Sequence, residues 1–286
     1  MAEARVAVIG GSGLYEMEDL SNVREVKPQT PFGTPSDAIV LGDLGGTPIA
    51  FLPRHGRGHR ILPTELPVRA NIYALKTLGV EMVISISAVG SLKEEVRPLD
   101  LVIPDQIIDR TRQRASTFFG DGVVAHVTFA DPFCHELSAA LTESSLEAGA
   151  TTHQGGTYVV MEGPAFSTRA ESLLYRSWGA SIIGMTALPE AKLAREAEMC
   201  YAILACATDY DCWHDTEESV SIDMVLENLK KNVATSKDIL RRLLPRLAGE
   251  RTCSCTSALE NAIITARDAI PSEAKQRLAP LVSKYL

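Results

Sequence analysis

The chain is 286 residues long and carries 28 Lys+Arg against 36 Asp+Glu, a formal net charge of −8. That acidity excludes a general nucleic-acid binder, whose phosphate contacts need a basic surface, and an apolar content of 45% with 20 Gly and 15 Pro excludes a disordered or low-complexity chain. At roughly 100–200 residues per domain, the length allows one large domain or two smaller ones, and either can bury a core that needs neither disulfide nor metal to hold it.

The first residues lead into an apolar stretch at 6–9 that breaks at Gly10-Gly11-Ser12-Gly13, too short for a signal-peptide core. No later run reaches the ~18 apolar residues of a membrane span, so a cytoplasmic protein is expected. The 6–9 stretch reads as a buried strand, and 39–44 with 48–52 as hairpin arms around Gly45-Gly46. A helix is predicted over 68–78, stopping at Gly79, then a strand over 80–87 that feeds a small-residue loop, Ser87-Ala88-Val89-Gly90-Ser91. Helices at 135–148, 168–178 and 189–199 alternate with strands at 158–161, 181–184 and 202–208. That order predicts an α/β protein, a single domain with a central mixed sheet flanked by helices. Ile222, Val225, Leu226, Leu229 and Val233 mark one face of a long helix that Pro245 ends. Residues 251–286 then read as a helical tail, with helices at 257–267 and 272–284, packed on the domain of residues 1–250; the polar stretch 252–257 is the linker candidate.

The six cysteines, Cys134, Cys200, Cys206, Cys212, Cys253 and Cys255, form no C-x-x-C pair, so neither a zinc ribbon nor a thioredoxin motif is supported and buried reduced thiols are expected. His55 and His59 form H-x-x-x-H, but the intervening Gly56-Arg57-Gly58 suits neither a helix nor a zinc site. No metal is expected.

Three small-residue segments follow strands. Gly10-Gly11-Ser12-Gly13 can turn several N–H groups and a hydroxyl toward one anion, although Glu16 breaks the dinucleotide fingerprint and no P-loop motif exists. Pro53-Arg54-His55-Gly56 can offer a phosphate one fixed and one switchable positive charge, or equally a structural ion pair. Together with the 87–91 loop they suggest an anion pocket at the carboxyl edge of the sheet.

Thr208-Asp209-Tyr210-Asp211 closes the last strand, where extended chain would point Asp209 and Asp211 to the same side. Two carboxylates that close repel each other, so one can keep a proton and act as an acid while the other accepts. The same pair also reads as solvated or capping aspartates. Phe166, in a Gly/Pro loop before a helix, can stack on a flat ligand or fill the core, and Met185-Thr186 after a strand can face a ligand or pack.

Taken together, GGSGLY, TPFGTPS, LPRHGRGH, SAVGSL, IPDQIIDRT, EGPAFSTRAES, GMTALPEAKLA and ATDYDCW, in this order between Gly10 and about Pro245, resemble the 5′-methylthioadenosine phosphorylases of the purine nucleoside phosphorylase family. The resemblance implies a nucleoside phosphorylase-like fold and a pentosyltransferase of purine and methionine salvage. Its reaction would be phosphate-dependent cleavage of S-methyl-5′-thioadenosine to adenine and 5-methylthioribose 1-phosphate, with small-molecule substrates and no metal or organic cofactor. By motif position it implies a phosphate site of Ser12, Arg54, His55, Ser87, Ala88 and Thr186, with Met185 against the ribose and Phe166 against the purine. Ser167 and Ile222 fall at positions tied to substrate choice, and Val225 and Leu226 would extend Ile222 into an apolar wall for the methylthio group. His126 matches a histidine that family members lend to the neighbouring subunit, and the assembly implied is a homotrimer or a dimer of trimers. Asp209 would protonate purine N7, and ionised carboxylates at Asp209 and Asp211 accept from a 6-amino group but not from a 6-oxo group. The sequence departs from the usual pattern at Ser12 and Ser87, where threonine is common, and at Val89, where cysteine is frequent. Cys253-Ser254-Cys255 resembles a tail motif of some thermophilic archaeal members, which keeps a disulfide there open.

The nearest alternative keeps the fold and changes the substrate, to methylthioinosine or a broader range of purine nucleosides; the two aspartates argue against it. A non-catalytic nucleoside-binding protein is the alternative from another class. A nicotinamide-dependent oxidoreductase is disfavoured by the failed glycine fingerprint.

Overall fold

Strand β1 (Val6–Gly10) is apolar and buried at every position, as expected of a strand covered on both faces. In the computed structural model, which describes residues 2–11, 13, 14, 16–214 and 222–286 and the backbone alone at 222–226 and 229, β1 lies between β4 (Thr47–Pro53) and β5 (Met82–Ser91), parallel to both. Strands β2 (Leu20–Val26) and β3 (Ile39–Leu44) extend the β4 side as an antiparallel meander.

β5 is where the sheet divides. Its first half pairs with β1, and β11 (Cys200–Asp209), buried along its whole length, runs parallel to it from Cys200↔Met82 to Ala207↔Val89. Past the end of β1, the last residues of β5 pair antiparallel with β10 (Ile182–Gly184), which leads to β9 (Thr157–Met161) and β7 (Gln106–Arg110). Beyond β11 lie the short strands β6 (Leu101–Ile103) and β8 (Thr152–Gln154). The sheet is mixed, as the alternation predicts.

Successive side chains of β1 face opposite layers: Ala7 and Ile9 join a core with Ile72, Leu75 and Leu193, while Val6 and Val8 join one with Leu137, Leu141, Ile239 and Leu243. The first layer is made by α1 (Val68–Thr77), α4 (Ala187–Glu196) and α6 (Ser272–Val282), the second by α2 (His135–Glu147) and α5 (Ile222–Arg246). α3 (Arg169–Ser177) sits outside both, begun by a capping box in which Thr168 Oγ1 accepts from Glu171 N. Among the described residues no helix is long and apolar enough to cross a membrane.

Three expectations are corrected. The segment 87–91 is not a loop but the second half of β5, because β11 and β10 both pair with it. The helix expected at 257–267 does not form: Leu259 N–H goes to Glu198 Oε1 at 3.0 Å and Ile264 N–H to Val124 O at 3.0 Å, so distant acceptors replace the i−4 carbonyls. The stretch 252–257 is no loose linker, since Cys255 is buried and Thr252 Oγ1 donates to Glu136 Oε1 at 2.5 Å. β2, β6, β7 and β8 were not anticipated. The tail is fastened at its end as well, where Lys284 Nζ meets Glu198 Oε2 at 2.7 Å and Tyr73 Oη donates to Arg277 O at 2.9 Å.

Candidate active site

β4, β1 and β5 are parallel neighbours, so their carboxyl ends open on one edge of the sheet. Arg54 follows β4, and its N–H is held by Gly10 O at 2.9 Å. Its side chain is 3% exposed and forms a forked pair with Glu190, Nε to Oε1 at 2.6 Å and Nη2 to Oε2 at 3.2 Å. Nη2 also donates to Ser85 Oγ at 2.6 Å and Ile9 O at 3.2 Å, and Nη1 to Ile86 O at 3.1 Å. Burial opposes the charge, and Glu190 more than offsets it. Glu190 also accepts from Ser85 Oγ at 3.2 Å and Tyr201 Oη at 2.9 Å. Arg54 is thus a structural ion pair that keeps a second Nη1 proton for a ligand.

His55 does not carry the switchable charge expected of it. Burial pushes its pKa down to about 4, and its Nδ1 lies 2.8 Å from Ile61 O, which fixes the proton there and leaves Nε2 as an acceptor. The His59 ring stacks on it at 4.2 Å.

On β5, Ser87 is buried and Ala88 stands beside it; Thr186 precedes α4 with its hydroxyl unused as a cap. The Ser87 and Thr186 hydroxyls border that of Tyr158, a wholly buried residue of β9 to which the sequence gives no role beyond its strand. Neither Ser87 Oγ nor Tyr158 Oη finds a hydrogen-bond partner among the described residues. Orphaned buried hydroxyls are costly, and these two, near Arg54, are free to donate to acceptor oxygens. Gly184 makes room for Tyr158, since a Cβ there would stand 2.2 Å from Oη. Ser12 lies outside the described residues.

Asp209 ends β11 just past a bulge, and Asp211 turns away in the left-handed region at φ 52°. The extended-strand expectation therefore fails: the pair is folded into a turn in which Asp211 N–H donates to Asp209 Oδ1 at 2.8 Å. Thr208 Oγ1 stands 2.6 Å from Asp209 Oδ2 and 3.3 Å from Val89 O. Burial raises the pKa of Asp209 above the usual carboxylate range against these hydrogen bonds, with the Asp211 charge a lesser contribution; burial likewise raises Asp211. Gly90 on β5 lets both approach, since a Cβ there would lie 3.1 Å from Asp209 Oδ1 and 3.2 Å from Asp211 Cβ.

Met185 packs against Gly163, where a Cβ would be 2.6 Å from its Sδ. Arg114, another residue the sequence reading missed, clamps the two loops by donating to the carbonyls of Glu162, Met185 and Leu188. Ser167 Oγ approaches Met161 Sδ at 3.6 Å, and its carbonyl accepts from Cys212 Sγ at 3.3 Å, which ties it to the carboxylate turn. Phe166 is 53% exposed on the same loop. The side chains of Ile222, Val225 and Leu226 lie outside the described residues, but Asn228 Nδ2 donates to Thr208 O at 2.8 Å and brings α5 to the end of β11. His126 is exposed and apart from these groups: its N–H goes to Ala262 O at 2.9 Å, beside a surface cavity it shares with Arg195 and Asn261.

The phosphorylase superfamily model matches residues 5–245. The chain is 60% identical over 285 residues to S-methyl-5′-thioadenosine phosphorylase of Geobacter sulfurreducens, covering 99% of this chain and 100% of that protein. Its fold is similar to that of a methylthioadenosine phosphorylase from an antarctic soil metagenomic library, with TM-score 0.95 and 53% identity over 99% of this chain and 100% of that one. It is also similar to a variant of the adenosine/methylthioadenosine phosphorylase of Schistosoma mansoni in complex with methylthioadenosine, with TM-score 0.83 and 35% identity over 89% and 95% of the two chains. A family match along most of the chain, joined to relatives this similar over their full length, makes this protein a member of the phosphorylase superfamily.

Proposed function

We propose that the protein cleaves S-methyl-5′-thioadenosine with inorganic phosphate, giving adenine and 5-methylthioribose 1-phosphate. The observation that carries this reading is the pair of orphaned hydroxyls, Ser87 Oγ and Tyr158 Oη, beside Arg54 and Thr186, on a strand whose Gly90 is approached by a buried acid, Asp209. Phosphate in that cradle stabilises the oxocarbenium character of the ribose as the glycosidic bond breaks. A phosphate oxygen forms the new bond to C1′, the C1′–N9 electron pair leaves with the purine, and Asp209 gives its proton to N7. Thr208 serves both states of the acid: it donates to the carboxylate, or it accepts from the carboxylic acid and donates to Val89 O. Asp211 accepts from the 6-amino group, Met185 lies under the ribose and Phe166 against the base, while Ser12, His55 and Ala88 complete the phosphate site. His55 contributes an Nε2 acceptor for a protonated phosphate oxygen. The names of the relatives support the same substrate.

The proposal extends to a reaction without metal or organic cofactor, in purine and methionine salvage in the cytoplasm. It also includes a trimer or a dimer of trimers. Support for assembly comes from apolar side chains left on the surface, Phe166, Leu173, Leu174 and Trp178 on one side and Val124 and Ile264 beside His126. In an assembly, His126 and the Ile222, Val225 and Leu226 wall would close the 5′ end of the site.

Adenine release from methylthioadenosine, measured with and without phosphate for wild type and Asp209→Asn, tests the reading. Phosphate-dependent release that falls roughly 10²-fold or more in the variant is expected. Release without phosphate would make the protein a hydrolase, and turnover of methylthioinosine alone would move the substrate to the 6-oxopurines.

A further inference from the structure

Far from this edge, four thiols meet. The Sγ atoms of Cys134, Cys200, Cys253 and Cys255 all lie within 4.8 Å of one another, and the Cys200 and Cys253 sulfurs are 3.3 Å apart. They come from three parts of the chain: Cys134 directly precedes α2, Cys200 opens β11, and Cys253 and Cys255 flank Ser254 in the tail. Each is held by its backbone or its neighbours. Cys134 N–H donates to Tyr201 O at 2.9 Å and Cys200 N–H to Glu81 O at 2.9 Å. Arg251 Nη1 reaches Glu81 O at 3.1 Å, Glu198 O at 3.0 Å and Cys200 Sγ at 3.8 Å, and so fixes the approach of the tail to the strand.

We propose that these four cysteines form a structural zinc(II) site. Zinc bound by thiolates at ~2.3 Å in a tetrahedron sets its sulfurs ~3.8 Å from each other, and the cluster already spans that edge length. Four protein ligands close the coordination sphere, which makes the ion structural rather than catalytic. Loading converts four thiols and one Zn²⁺ into a tetrathiolate complex of charge −2 and releases four protons. The Arg251 guanidinium and the N–H groups of the first turn of α2 face that charge and offset part of it. The absence of C-x-x-C conceals the site in the sequence, because only two of its four ligands are near neighbours.

The site would bind the tail to the amino end of β11. Asp209 stands at the other end of the same ten-residue strand, about 30 Å away at ~3.3 Å per residue, so the ion would act on stability and not on the chemistry.

The test uses the full chain purified under reductant, with its metal content measured and with Co(II) then exchanged into the site. About one zinc per chain, and the intense visible absorption of tetrahedral thiolate Co(II), are expected. Both should be lost in Cys253→Ser/Cys255→Ser, whose melting temperature should fall while its turnover of methylthioadenosine per folded molecule holds. Because cobalt absorption is read on the wild-type chain, a variant that does not fold leaves the test intact. A wild-type chain that retains no zinc and gives no such absorption on cobalt titration overturns the proposal. So does an intact mass lighter by four hydrogens after purification in reductant, which would show two disulfides instead.

Discussion

Tyr158 and Glu190 show how single side chains can matter to a site without looking functional. The Tyr158 hydroxyl has no hydrogen-bond partner among the described residues, so Tyr158→Phe removes a group that costs the ligand-free protein stability and that, on the proposed phosphate site, would serve the ligand. The expected result is a KM for phosphate raised about tenfold, from a lost hydrogen bond to a charged group of roughly 1.5–3 kcal/mol, with an unchanged or higher melting temperature. Steady-state kinetics and a thermal melt on one preparation check both halves. Glu190→Gln acts in the opposite sense, since it leaves the Arg54 charge buried without its counter-ion. Breaking a buried pair in this way costs about 3–5 kcal/mol, which denaturant unfolding would read directly. Neither residue was legible beforehand, because a tyrosine in an apolar strand and a glutamate in a helix acquire their roles from partners far along the chain. Of the candidate site residues, Arg54 and Ser87 were legible from glycine-containing segments at strand ends, and Asp209 from its pairing with Asp211 after an apolar strand.

At the level of elements, the long buried strands and the well-patterned helices could be read from periodicity alone, and β1, β11, α1 and α2 fall close to where it puts them. The three-residue strands β6 and β8 are too short to carry a period, and β2 exposes most of its side chains. The segment 87–91 was misjudged because small residues usually mark turns; here they let β10, β11 and the carboxylates crowd one strand. Gly90→Ala tests that crowding. The added Cβ stands 3.1 Å from Asp209 Oδ1, so kcat should fall while circular dichroism and melting temperature stay near wild type. A variant with undiminished kcat would mean that the position of the carboxylate is not set by β5.

For the molecule as a whole, two buried groups give stability opposite dependences on pH. Burial raises Glu196 to about 7 although Thr117 Oγ1 and Phe118 N–H donate to it. The folded state therefore holds a proton that the unfolded state releases near its ordinary value of 4.5, and stability falls as pH rises from there toward 7. That decline amounts to roughly 3 kcal/mol at ~1.4 kcal/mol per pH unit. His55 behaves inversely: with its pKa down at about 4 against 6.5 unfolded, stability is lost as pH falls through that interval. Between pH 4.5 and 6.5 the two contributions offset, so unfolding free energies measured across that range should be nearly flat in the wild type and should rise with pH in Glu196→Gln, where only the His55 dependence remains; a variant profile as flat as the wild type would mean that Glu196 does not hold the proton.

The position of β5 at the fork of the sheet also bears on how the chain is made. Its partner β11 begins 118 residues later, with Cys200 opposite Met82, so on the ribosome one flank of β5 must wait for its neighbour. At ~5–20 residues per second the interval is on the order of ten seconds. Throughout it the nascent chain presents an apolar strand with a bare row of peptide groups, the kind of edge that recruits foreign strands. Premature termination anywhere before residue 200 would leave that edge permanently open, yielding a product destined for aggregation or proteolysis rather than a partial enzyme.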